Sequence, residues 1–325
     1  MTKAPDDRQN YFLEVRNDGD QIFIPVIEVL GTKPGNTLVL VAGLHGDEYE
    51  ATQTLFILNR ELDPKNICGR IIMITVGNPL AFQEKSRTTP EIFDGKNLAR
   101  EFPGDPKGSV TQKIADKIWR LIANNCGNND LVIDLHSGGK NYSYVHTAGV
   151  RDMLLDSKQT LKAIEAARAM LIQQLCLMEA VTGTLSATAI QHGIPSIGCE
   201  VEGRGSVNSS DVEIYLAGLK NIMKLTGHDS SGSPLRTEGK FYKTIAINSK
   251  YSGFATSDIG RFAQVSPGDL ICRISNGFGE TIEEVLSPCF GEIWAIRTNP
   301  SVGVNEVLAL IKIPNQEMDG KNANK

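Results

Sequence analysis

Several features that would settle the class of this 325-residue chain at once are absent from it. There is no basic excess. Against 38 Asp and Glu stand 33 Lys and Arg, a formal net charge of −5, which argues against general binding to nucleic acid or an anionic membrane. No apolar stretch approaches the length needed to span a bilayer. The start, MTKAPDDRQN, is polar and acidic, unlike a secretory signal. Tandem repeats are missing. The six cysteines (Cys68, Cys126, Cys176, Cys199, Cys272, Cys289) are scattered, with no C-x-x-C pair. That pattern suits a reducing compartment better than a disulfide framework, so a cytoplasmic location is expected. The apolar and charged fractions are those of an ordinary soluble protein, and the length suggests two domains.

What is present centres on Leu38 to Glu50, LVLVAGLHGDEYE. The run Leu38-Val39-Leu40-Val41 lacks polar alternation and reads as a buried strand. A small-residue turn follows, with His45 and Glu48 three residues apart. In an open α/β sheet the crevice beyond the carboxyl ends of the strands is where ligands bind. Imidazole nitrogen and carboxylate oxygen are both good Zn²⁺ ligands.

The elements around this stretch follow in order. Residues 11–30 read as a hairpin turning at Asn17-Asp18-Gly19-Asp20. Tyr49 to Leu62 has helical spacing, and Arg70 to Val76 is a short apolar strand, which together with the first strand make a βαβ unit. Gly77 to Gly108 shows no period and contains Arg87 and Arg100; a loop this long is usually functional or disordered. A helix is expected over Val110 to Ala123, a strand over Leu131 to Ser137 and another over Asn141 to Thr147. Lys158 to Met178 reads as one long helix, Thr182 to Gln191 as a short one, Ser196 to Val201 as a strand and Asp211 to Leu225 as a helix. A Ser-, Gly- and Pro-rich linker spans Thr226 to Glu238. Beyond it only β-type runs occur, such as DLICRI and EVLALIKI, and Asn315 to Lys325 is polar enough to fray. The expected fold class is therefore α/β, with a mostly parallel or mixed central sheet flanked by helices, plus a small C-terminal all-β domain. The boundary is placed between a catalytic domain, 1–228, and a β-rich domain, 229–325.

His45 and His136 both follow an apolar strand, so both should sit at one edge of one sheet, with Glu48 close by. Three protein ligands plus water is the arrangement of a catalytic zinc. Asp134 shares a strand face with His136 and can orient it. A third apolar strand ends in Glu200, and Glu202 shares its face; either can serve as a base toward a zinc-bound water. Spacing alone does not choose between them. Of the other histidines, His192 reads as a helix-end cap, His228 as a solvated linker residue, and His146 as a candidate to face the pocket.

Five pieces, HGDE (His45 to Glu48), NPLAF with Ser86-Arg87, NLAREFPG (Asn97 to Gly104), DLHSG (Asp134 to Gly138) and GCEVEG (Gly198 to Gly203), occur in an order that resembles the succinylglutamate desuccinylase/aspartoacylase family of the zinc carboxypeptidase-like fold. The resemblance covers nearly all of the first domain. It implies one zinc ion per chain, held by His45, Glu48 and His136, with Glu200 as general base. It implies that Arg87 polarises the scissile carbonyl and that Arg100, with Asn97 beside it, binds the carboxylate of a small N-acyl amino acid. The implied activity is an amidohydrolase that removes the acyl group. A carboxypeptidase or small-peptide amidase on the same fold is the alternative, and a non-catalytic zinc-containing binding protein a more distant one. Two departures stand out. Ala99 occupies the place of a usual Asn, and Glu202, with Arg204 close by, stands where Gly is commoner. That pair either lines the pocket or forms a salt bridge on its rim, the second being preferred.

Residues from about Phe254 to Ile311 resemble barrel-sandwich hybrid modules of the biotinyl/lipoyl type, but the turn SNGFGETIE carries no lysine to modify. The resemblance implies a module that flanks the cleft, favours a small substrate and leaves room for a homo-oligomer.

Overall fold

A computed structural model describes residues 7–17 and 19–314, so the expected frayed end, 315–325, lies outside the described residues. The chain opens with the expected hairpin, β1 (Asp7–Asn17) against β2 (Asp20–Leu30), in continuous antiparallel register. Then β3 (Lys33–Ala42), α1 (Glu50–Glu61) and β4 (Cys68–Ile74) make the βαβ unit, with β3 and β4 parallel from Leu38 opposite Ile71 to Val41 opposite Ile74. The irregular stretch contains one short helix, α2 (Pro79–Glu84), and a single 3-10 turn at Leu98–Arg100. Helix α3 (Val110–Asn125) follows, its first turn closed by a reciprocal Ser109–Gln112 capping box.

Alternate residues of β3 serve two cores. Leu38, Leu40 and Ala42 pack with Leu55 and Leu58 of α1, whereas Val39 and Val41 pack with Ile114 and Ile118 of α3. A strand buried on both faces needs no polar alternation, which is why its sequence is continuously apolar.

The middle of the chain supplies β5 (Leu131–Ser137), β6 (Tyr142–Tyr144), β7 (Thr147–Arg151), α4 (Lys158–Ala169), β8 (Gln174–Met178), α5 (Leu185–Gln191), β9 (Ser196–Val201) and α6 (Ser209–Leu225). Here two expectations are corrected. The single strand over Asn141 to Thr147 is two, β6 and β7, broken at Val145-His146. The long helix over Lys158 to Met178 stops at Ala169, where Leu171 takes a left-handed φ of 61°. Residues 174–178 then run parallel to β7, Thr147 opposite Gln174 to Arg151 opposite Met178. A short apolar run such as LCLM fits helix and strand equally well, and here pairing decides.

The remaining strands are β10 (Phe241–Asn248), β11 (Gly253–Thr256), β12 (Gln264–Val265), β13 (Leu270–Ser275), β14 (Thr281–Leu286), β15 (Gly291–Arg297), β16 (Ser301–Val302) and β17 (Val307–Ile313). The architecture is a mixed central sheet flanked by helices, plus a four-stranded antiparallel sheet near the C-terminus, β14-β13-β11-β16. The large sheet runs β1-β2-β4-β3-β5-β9-β7-β8-β10-β17-β15-β12, with β6 added beside β15. Strands β4, β3, β5 and β9 are mutually parallel, and β7 is antiparallel to β9. No helix or strand lies between Leu225 and Phe241. The C-terminal β segment has its own apolar core, including Ile271, Ile274, Ile293, Leu308 and Ile311. It joins the earlier strands through two ladders, β10 on β8 and β15 on β6. The turn between β13 and β14 presents Phe278, 92% exposed, and no lysine. Among the described residues no helix is long and apolar enough to cross a membrane.

Candidate active site

Three strand ends build the site. The loop after β3 carries His45 and Glu48, and it is pinned from behind. A Cβ on Gly46 would lie 2.0 Å from the carbonyl carbon of Ala81 in α2, so only glycine fits. The Gly46 amide donates to Ser86 O (2.9 Å), which brings the neighbouring Arg87 over the loop. Strand β5 ends in His136, with Asp134 and His136 on the face opposite the Leu131, Ile133 and Leu135 core. In the parallel β5–β9 ladder Asp134 is opposite Gly198 and His136 opposite Glu200.

The predicted ligands His45, Glu48 and His136 converge, with one donor atom from each lying within 4.8 Å of the others. His45 Nδ1 is 2.7 Å from Glu48 Oε1 and His136 Nδ1 is 2.8 Å from Glu48 Oε2, and the two rings are 4.9 Å apart. The Ser137 amide also donates to Glu48 Oε2 (3.1 Å). On the far side of each ring stands an orienting group. His45 Nε2 meets Asn97 Oδ1 at 3.0 Å, and His136 Nε2 lies 3.1 Å from Asp134 Oδ1. Asn97 Oδ1 also accepts from the Ala99 amide, so its orientation is set and the His45 proton belongs on Nε2.

Burial above all, with Arg87 second, pushes His45 down to a pKa of about 4, so this imidazole is neutral. Its Nδ1 is then a bare lone pair facing a carboxylate oxygen at 2.7 Å. Two acceptors in contact repel one another, and a cation between them removes the repulsion. His136 is also buried, which disfavours its charge, but Asp134 and Glu48 on either side together hold it well above the usual histidine range. Two imidazoles, one carboxylate and two outer-ring partners are the donor set of a metal centre, and the residues fit the ion.

Glu200 is enclosed beside them. Burial, then the charges of Glu48 and Asp134, raise its pKa to about 8 against the opposing pull of His136 and Arg87. Its Oε2 is buried without a hydrogen-bond partner among the described residues. Arg87 donates to Glu48 Oε1 (2.9 Å). Arg100 is exposed, donates to Ala99 O, and has no acidic partner among the described residues. Ala99 itself is buried in the apolar cluster with Leu98 and Phe102 and does not enter the site. Glu202 forms a salt bridge with Arg204 (2.7 Å), and the same oxygen also takes Arg261 (2.7 Å) and the Ser143 hydroxyl (3.1 Å).

Several neighbours carry no signature in the sequence. Arg151, at the end of β7, is held by Ser186 Oγ (2.8 Å) and Glu179 O (2.9 Å), within the fields of Asp134, Arg100 and Glu200. Tyr215 of α6 donates to His136 O (2.5 Å), and Ser137 Oγ donates to Glu50 (2.8 Å), which steadies the end of β5 from the other face. Tyr144 of β6 lies in the fields of Glu200 and Arg87. Pairing across the fold brings these residues in, and nothing local in the chain announces them. The remaining histidines lie outside this cluster. His146 pairs with Asp211 (2.7 Å), and His192 closes α5 with Nδ1 2.8 Å from Thr188 O. His228, expected to be solvated, is fully buried, with Nε2 3.1 Å from Arg70 O, because the linker folds back beneath β4.

A mixed sheet bearing His, Glu and His at adjoining strand ends, with a buried glutamate opposite one of them, carries a candidate metal site of the kind an amidohydrolase uses. The chain matches the Succinylglutamate desuccinylase/Aspartoacylase catalytic domain over residues 34–226 and belongs to that family. A relative from Halomonas elongata, N-alpha-acetyl-L-2,4-diaminobutyric acid deacetylase, is 30% identical over 317 residues, covering 93% of this chain and 91% of that one. Among solved structures, the product-bound ectoine utilization protein EutE (DoeB) from Ruegeria pomeroyi superposes with a TM-score of 0.85 at 26% identity, covering 97% and 98% of the two chains. A succinylglutamate desuccinylase from Silicibacter sp. TM1040 gives 0.82 at 25% identity, covering 96% and 97%.

Proposed function

We propose that this enzyme is a zinc-dependent hydrolase that removes the acyl group from a small N-acylated amino acid. The observation that carries the reading is Glu200 Oε2, buried and unpartnered, on a residue opposite a ligand histidine. A buried carboxylate oxygen left without a partner is costly unless it has work to do. The similarity to a diaminobutyrate deacetylase makes N-acetyl amino acids the first substrates to test.

Zinc held by His45, Glu48 and His136 would supply Lewis-acid chemistry at neutral pH. The protein groups do the rest. Glu200 takes a proton from the attacking water and returns it to the leaving amine. Arg87 supplies a fixed cation for the charge that develops on the carbonyl oxygen. Arg100, which has no acidic partner among the described residues, takes the substrate carboxylate. Asn97 contributes chiefly by orienting His45, since its amide oxygen is committed and only its NH₂ group remains for substrate. Beside this site, β6 pairs with β15 of the C-terminal β part.

The test is amine release by the zinc-loaded protein from a panel of N-acetyl, N-succinyl and N-formyl amino acids, with a chelator-treated control. Release that requires zinc is expected from one acyl group. Silence across the panel, with zinc confirmed in the protein, contradicts the reading.

A further inference from the structure

Strand β6 is only three residues long, yet both of its edges are committed. On one side the Tyr144 amide donates to Glu202 O (3.1 Å), and Ser143 bridges Gly203, just past the end of β9. On the other, Tyr142, Ser143 and Tyr144 pair with Arg297, Ile296 and Ala295 of β15, and the Val145 amide donates to Trp294 O (2.7 Å). Arg261, from the loop between β11 and β12, closes the arrangement. It donates through Nη1 to Tyr144 O (2.7 Å) and through Nη2 to Glu202 Oε1 (2.7 Å), the oxygen that also accepts from Ser143. The C-terminal β part thus holds Tyr144 through Ala295 and Arg261 and the next residue, Val145, through Trp294.

The Tyr144 side chain is different. Its hydroxyl makes no hydrogen bond among the described residues, although the ring sits within the fields of Glu200, Arg87 and Glu48. Filling space would need only phenylalanine. A phenol within the fields of Glu200 and Arg87, with no hydrogen-bond partner among the described residues, has a donor to offer to whatever enters. Burial, then Glu200, hold its pKa far above the usual phenol value, so it remains a donor across the working pH range.

We propose that Tyr144 contacts the substrate, donating a hydrogen bond to the acyl carbonyl oxygen, and that Arg261 is the residue that positions it. The C-terminal β part then completes the active site, and no bond is made or broken at Tyr144. The contact rests on the deacylase reading; the positioning by Arg261 does not.

The experiment uses the full-length zinc-loaded protein and the N-acetyl amino acid it turns over fastest. Tyr144→Phe should lower kcat by about a hundred- to a thousandfold, the range of one lost oxyanion donor, with KM and zinc content little changed. Arg261→Met should lower kcat in the same direction, Arg261→Lys should recover part of the loss, and Tyr144→Phe/Arg261→Met should be no worse than Tyr144→Phe alone. Hydrogen exchange at the Tyr144 and Val145 amides should rise by about tenfold in Arg261→Met through local opening. Wild-type kcat in Tyr144→Phe overturns the contact. Losses that multiply in the double variant, or unchanged exchange in Arg261→Met, overturn the positioning. A wild-type protein inert toward every N-acyl amino acid sinks the deacylase reading and the contact with it, while exchange still decides the role of Arg261.

Discussion

Glu200 stands directly across the β5–β9 ladder from His136, so a metal ligand and the candidate base are neighbours fixed by strand register. A side chain on a paired strand is more firmly placed than one on a loop. The same register puts Gly198 opposite Asp134, where an added Cβ would meet the Met178 methyl at 3.1 Å.

Removing a ligand should remove the ion. His136→Ala leaves two of the three donors, and zinc content after dialysis is expected to fall below about a tenth of an equivalent per chain, since structural cooperation among ligands dominates affinity. Retention of a full equivalent of zinc would contradict the assigned ligand set.

Arg100 is assigned the substrate carboxylate. Arg100→Ala should raise KM for an N-acetyl amino acid by about tenfold or more, the scale of a lost charge-assisted hydrogen bond. The corresponding amino-acid amide, which lacks the carboxylate, should be insensitive to the change. Equal losses on both substrates would show that Arg100 acts elsewhere.

Tyr215 supports the site from beneath. Its hydroxyl donates to the His136 carbonyl, and Tyr215→Phe removes that hydrogen bond. A loss of about 0.5–1.5 kcal/mol in denaturant unfolding is expected, the net worth of one hydrogen bond. Unchanged stability, with unchanged zinc affinity, would mean that the contact contributes nothing.

His228 gives the fold an acid sensitivity separate from catalysis. Burial, against weaker opposing hydrogen bonds, lowers its pKa in the folded chain, so the folded state favours the neutral ring. The unfolded chain takes up the proton near the ordinary value of about 6.5. The contribution is therefore fully present above that pH and is lost as pH falls from there toward the lowered folded value. Thermal melts between pH 8 and pH 5 should show a steeper acid decline for wild type than for His228→Gln. Parallel curves would show that His228 does not titrate with unfolding.

Much of this site could be read in the chain because its strands are buried on both faces. The runs Leu38–Val41 and Leu131–Ile133 are continuously apolar, and their strands, like Ser196–Val201, end at or near the His and Glu residues they deliver. The features that escaped depend on pairing. Residues 174–178 become strand β8 only because β7 and β10 lie on either side of them. Tyr144 and Arg151 reach the site from strands whose partners are distant in sequence, and the Arg261–Glu202 contact joins loops 59 residues apart with no local pattern to mark it. The burial of His228 likewise depends on where a linker of Ser, Gly and Pro comes to rest.

The most direct test of the account is Glu200→Gln, assayed for zinc content and turnover on the same preparation. Gln keeps the shape and cannot accept the proton, so zinc should stay near one equivalent while kcat falls by about a hundredfold or more, the range for a lost general base. Near-normal kcat with zinc in place would contradict the assignment of Glu200 and the mechanism built on it.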